Sequence, residues 1–116
     1  MDTEQKLERL CAIGAPSGFE HPAVLSAKEM LEPMMDEAWI DRLGSLVGVR
    51  RCGKPGAKKL LLDAHLDEVG LTVIGIENGF LRFHGIGVDA RMLPDREVAV
   101  LTEPPMLGVV ACLPPH

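Results

Sequence analysis

His65, Asp67 and Glu68 are the residues of this chain whose types and spacing could do chemistry. They close the stretch Lys59-Leu60-Leu61-Leu62-Asp63-Ala64-His65-Leu66-Asp67-Glu68-Val69-Gly70. Side chains two apart on a strand share a face, so His65 and Asp67 point the same way if the strand runs through both. A carboxylate beside an imidazole accepts the N–H of one ring nitrogen and leaves the other nitrogen free for a divalent metal. The same residues also describe a strand end with a solvated histidine and two exposed acids, because so short a pattern recurs by chance. Asp67 and Glu68 are adjacent and would face opposite sides of a strand. That argues against the flanking carboxylate pair that glycoside hydrolysis needs.

These side chains must be positioned by the elements around them. The apolar run Leu60 to Leu62 predicts a buried strand, and the end of such a strand is where ligands bind in open α/β sheets. Thr3 to Ile13 predicts an amphipathic helix with Leu7, Leu10 and Cys11 on one stripe, stopped at Gly14. Ser17-Gly18-Phe19-Glu20 has the capping-box spacing and predicts a second helix running to about Glu32, with Val24, Leu25, Leu31 and either Ala27 or the stem of Lys28 inward. Pro33 cannot continue that helix, because its ring collides with the preceding turn. Short strands are expected at Glu37 to Asp41 and Ser45 to Arg51, around a turn at Arg42-Leu43-Gly44.

Beyond Gly70 the texture changes. Leu71 to Ile76 and Phe80 to Phe83 flank Asn78-Gly79, the strongest short hairpin signal. Arg96 to Leu101 and Met106 to Leu113 predict two more strands, and regular spacing of short strands suggests a small β-barrel or sandwich. The expected boundary lies near Val69, giving an α/β part over 1–69 and a β part over 70–116.

The totals exclude several classes. With 116 residues, 47% of them hydrophobic, the chain has enough apolar material for a modest core. A net charge of −5 and the lack of a basic stripe argue against nucleic-acid binding. No apolar run is long enough to cross a bilayer and the start lacks a signal-peptide pattern, so no membrane partner is expected. Cys11, Cys52 and Cys112 sit too far apart for a zinc knuckle and read as small buried or half-buried residues; a reducing cytoplasm is the expected location. His21 before Pro22, His84 at a strand end and His116 have no paired ligand at local metal spacing and read as structural. Asp89 and Arg91 read as a solvated ion pair.

The order of motifs carries more information than any one of them. Ala15-Pro16-Ser17-Gly18-Phe19-Glu20, Asp41-Arg42-Leu43-Gly44-Ser45 and Ala64-His65-Leu66-Asp67-Glu68-Val69-Gly70 occur in that sequence. Asn78-Gly79-Phe80-Leu81-Arg82-Phe83, Gly85-Ile86-Gly87-Val88-Asp89-Ala90-Arg91, Gly108-Val109-Val110 and Pro114-Pro115-His116 follow. Together they resemble the start of the dinuclear metalloaminopeptidases that build tetrahedral (TET) particles. Members of that family go by the names glutamyl aminopeptidase, endoglucanase or cellulase.

The resemblance implies part of a peptidase α/β sandwich followed by strands of an inserted β-barrel used for dimerisation. It implies two divalent metal ions, zinc or cobalt, with His65 as a ligand and Asp67 as the acid that orients it. The other ligands and the general base of the family fall in motifs that this sequence does not contain. What is expected, then, is the N-terminal portion of an enzyme that hydrolyses N-terminal residues from peptides through a metal-activated water. The isolated chain is expected to be inactive, its partners being copies of itself or a second polypeptide that supplies the missing ligands. The alternative is a non-catalytic, self-associating β-barrel fragment.

Overall fold

A computed structural model describes residues 1–112 of the chain. Contacts divide it into two compact units, Met1–Glu68 and Val69–His116. Among the described residues the secondary structure is α/β, with each strand paired antiparallel in one of three two-stranded sheets.

In the first unit, α1 spans Thr3–Cys11 and α2 spans His21–Leu31. Asp2 and Gln5 form a reciprocal capping box at the start of α1, so two backbone N–H groups that the helix cannot satisfy find partners. Ala23, Val24 and Ala27 recur at helical spacing and are buried, Ala23 to 1% exposure. Leu25 and Leu31 were expected inward but are exposed. Leu25 is two residues from both Ala23 and Ala27, about 160° around the helix from each, so it falls on the opposite face.

Helix α2 packs on α1 and on a hairpin of β1, Glu37–Ile40, and β2, Leu46–Val49. Its turn is closed by Asp41, whose Oδ1 accepts from the backbone N–H of Leu43 and of Ser45, both at 2.9 Å. Gly44 holds φ +92°, a conformation that costs glycine little. A side chain at Gly48 would meet the Met35 side chain at 3.1 Å, so glycine there lets Met35 lie against β2.

The Leu60 to Leu62 run departs from expectation. It forms no strand, and the three leucines are 83%, 87% and 85% exposed. A buried strand needs hydrogen-bonded neighbours and covering side chains, and no described strand pairs with this run. The expected stripe on α1 is only partly covered: Leu10 is half-buried, α1 buries no residue fully, and Leu7 and Cys11 are exposed. All three cysteines are exposed, which corrects the expectation of burial. Cys11 borders an open depression beside Leu66 that solvent reaches.

In the second unit, β3, Gly70–Glu77, pairs with β4, Phe80–Ile86. Asn78 and Gly79 take φ +51° and +82°, the two positive values that a two-residue turn of matching twist requires. The register slips between Val73 and Gly75, leaving Ile74 unpaired as a bulge. β5, Glu97–Val100, pairs with β6, Met106–Val109. Val110 is the buried residue here, fixed by exchange of backbone hydrogen bonds with Asp95 and Arg96. The expected end of the last strand at Leu113, together with Pro114, Pro115 and His116, lies outside the described residues.

Candidate functional site

His65 and Asp67 sit in an extended segment that no ladder holds, so something else must fix them. The segment is strapped to the chain ahead of α2. The backbone N–H of Glu68 donates to the Ala15 carbonyl at 3.0 Å, and that of Ala15 donates to the Glu68 carboxylate at 2.9 Å. Pro16 and Glu68 form a parallel bridge. Glu68 is therefore occupied as a strap, and nothing in its contacts gives it a chemical task.

Geometry defines the roles of the polar atoms. Nδ1 of His65 lies 3.1 Å from Asp67 Oδ1 and 3.0 Å from the Asp67 backbone carbonyl. Carbonyl and ionised carboxylate oxygens are both acceptors only, so Nδ1 carries the proton and donates. Nε2 is left with its lone pair, the form in which a neutral imidazole binds a metal. The ring is 86% exposed and the Asp67 side chain 39% exposed.

Asp67 has a second partner, the Ser17 hydroxyl, which donates to Oδ2. The Asp67 carboxyl is held below the ordinary carboxylate range, first by the Ser17 hydrogen bond and then by His65. Each favours the ionised form, which accepts from both sides. An open depression of about 200 Å³ adjoins the imidazole, lined by Leu10, Ile13, Ala15 and Leu66 among others.

Sequence spacing brought His65 and Asp67 to attention but missed Ser17. The motif Ser17-Gly18-Phe19-Glu20 fits a capping box, yet no such box forms. Helix α2 starts at His21 with Glu20 as its cap residue, and Glu20 makes no capping hydrogen bond. Its carboxylate instead accepts from the Gly18 N–H at 2.6 Å. The available signal was Pro16-Ser17-Gly18, a turn sequence that leaves a hydroxyl at the corner.

The other candidates stay apart from the site. His84 lies exposed on β4, opposite Thr72. Arg91 Nη2 lies 2.6 Å from Asp89 Oδ2, and the pair is solvated, with Arg91 88% exposed. His21 begins α2 and is exposed. Among the described residues, no three of His, Cys, Asp and Glu come together to hold a metal ion. The imidazole Nε2 fits one coordination position of zinc or cobalt. A closed set does not exist in the described chain.

Solved structures share this arrangement of elements. A TET aminopeptidase from a marine-sediment Thaumarchaeota archaeon is similar at a TM-score of 0.83 and 32% identity, over 97% of this chain and 32% of that one. The PhTET1-12s dodecamer is similar at a TM-score of 0.77 and 32% identity, over 100% of this chain and 35% of that one. The fold is thus shared with about a third of each of these TET-type chains.

Sequence comparison agrees. Lysyl aminopeptidase of Pyrococcus furiosus is 36% identical over 104 residues, 86% of this chain and 29% of the relative. The model of the M42 glutamyl aminopeptidase family matches residues 44–116. The chain belongs to that family. It spans 21% to 29% of the length of curated relatives such as this one.

Proposed function

We propose that the chain is the N-terminal portion of a metal-dependent aminopeptidase, in which His65 supplies one ligand to a two-metal centre and Asp67 orients it. The observation that carries this reading is the Nδ1 contact of His65 with Asp67, which leaves Nε2 as the free donor. In the complete enzyme two divalent cations, zinc or cobalt, supply Lewis acidity and an activated water. The contribution of this chain is narrower. It holds one imidazole in one tautomer and keeps a carboxylate ionised behind it. Residues 1–69 form part of the peptidase α/β domain, and residues 70–116 are strands of a barrel used for dimerisation. The substrate is a peptide with a free N-terminus, the location cytoplasmic and the assembly homo-oligomeric, with neither nucleic acid nor membrane as partner.

The isolated chain is inactive on this reading, because one ligand does not make a catalytic site. Purified chain given zinc or cobalt should release no N-terminal residue from a panel of peptides. When it is joined to the remaining two thirds of a family member, metal-dependent release should appear, and His65→Ala should abolish it. Activity of the joined protein that survives His65→Ala would sink the assignment of His65.

A second reading is favoured by one feature of the β3–β4 hairpin. Val73, Ile74, Ile76 and Phe80 are all exposed there, and open strand edges invite pairing. The chain would then act by self-association without metal. Sedimentation at several concentrations, with and without a chelator, separates the two readings. A dimer indifferent to the chelator, with no activity after joining, supports the second.

A further inference from the structure

We infer that Ser17 is a positioning residue of this site: its hydroxyl tethers Oδ2 of Asp67 so that Oδ1 is presented to Nδ1 of His65. The inference rests on the proposed role of Asp67 and extends it to a residue fifty positions earlier in the chain. An exposed aspartate turns freely about its own side-chain bonds and faces one acceptor pair in many directions. Asp67 is exposed enough to do so and has no ladder to restrain it. The Ser17 hydroxyl removes that freedom. A carboxylate offers only acceptors, so the hydroxyl must donate, and two hydrogen bonds converge on Asp67, one from the Ser17 hydroxyl to Oδ2 and one from the imidazole Nδ1–H to Oδ1.

Ser17 is itself fixed. The Phe19 N–H donates to the Pro16 carbonyl at 2.8 Å, closing a turn with Ser17 at its first corner and Gly18 at its second. Gly18 has φ +90°, the value the second corner of such a turn demands and one that favours glycine. On the near side, Ala15 is buried and doubly hydrogen-bonded to Glu68, the residue next to Asp67. The turn and the acid are thus held at adjoining points of one strap. That also explains why Ser17 does not cap α2: its hydroxyl is committed elsewhere.

The test reads the tautomer of His65 in the 116-residue chain, without metal, at a pH where the ring is neutral. Ring nitrogen shifts by ¹⁵N NMR report the ratio of Nδ1–H to Nε2–H, with His65→Ala identifying the signals. Wild type should favour Nδ1–H. Ser17→Ala should lower that ratio about fivefold, the scale of one hydrogen bond, and Ser17→Thr, which keeps a hydroxyl, should restore it. Should alanine disturb the turn, Ser17→Cys decides: a weak thiol donor should give an intermediate ratio in a chain that remains folded. A ratio unchanged in Ser17→Ala but lowered in Asp67→Ala overturns the inference and leaves the role of Asp67 standing. A ratio unchanged in both overturns the two together, since the Asp67 backbone carbonyl would then set the tautomer.

Discussion

Helix α2 and the β3–β4 hairpin are built from comparably apolar residues, yet they stand in opposite situations. The helix packs on α1 and on the β1–β2 hairpin, and Ala23, Val24 and Ala27 are buried. The hairpin is the better paired element, with seven register partners from Gly70↔Ile86 to Glu77↔Phe80, yet it leaves Val73, Ile74, Ile76 and Phe80 open to solvent. Pairing and burial are separate achievements. Backbone hydrogen bonds and a two-residue turn set the pairing of a hairpin, which alone is marginally stable, whereas burial needs a second layer that faces the first. Stability in the first unit should therefore lie in side-chain packing, and in the hairpin it should lie in the turn.

Ala23→Asp is the harshest way to probe the first half of that contrast. Ala23 is 1% exposed, so the substitution buries a charge with no partner and should cost about 3 kcal/mol or more. Loss of helical circular dichroism at room temperature, or a midpoint shifted far down in urea, would show it. A variant as stable as wild type would mean that the layer of α2 on β1 and β2 does not persist in solution.

Gly79→Ala tests the second half. At φ +82° an added methyl group is strained, and the cost should be about 1 kcal/mol. The loss should appear in hydrogen exchange of the β3 and β4 amides while those of α2 are unchanged. By contrast, Ile76→Thr on the open face should change stability by no more than about 0.5 kcal/mol. A larger loss, growing with protein concentration, would show that another copy covers this face.

The same contrast separates what the sequence reveals from what it hides. Elements governed by local rules were legible: Asn78-Gly79 announced its turn, Pro33 ended α2, and Gly44 closed the β1–β2 turn. Spacing of two placed His65 and Asp67 together, and they lie 3.1 Å apart. Features that depend on distant partners were not legible. Leu60 to Leu62 read as a buried strand because three leucines describe what a strand wants, and nothing local says whether neighbours pair with it. Cys11, on the partly covered stripe of α1, shows the same limit. Ser17 was misassigned because a serine with a glutamate three residues on looks alike whether its hydroxyl turns to the helix or to an acid fifty residues away. Local spacing states which bonds are possible, and only the fold decides which are made.

The smallest expected effect concerns the strap that holds Ser17 and Asp67 together. Both groups are partly solvated, so water and salt weaken their interaction and the contribution to stability should be slight. Its pH dependence nevertheless has a definite sign. The folded Asp67 carboxyl ionises below the ordinary carboxylate range, so folding favours the charged form. The contribution is complete above the ordinary carboxylate value and is lost as the pH falls through the lowered one. Wild type should therefore exceed Ser17→Ala in stability near neutral pH, and the difference should shrink as the solution is acidified. Paired urea titrations of the two proteins, repeated at steps from neutral to acid, measure it. A difference that persisted unchanged in acid would mean that Ser17 stabilises the turn by some contact other than the one to the carboxylate. The strap would then belong with the packed layer of α2 rather than with the site.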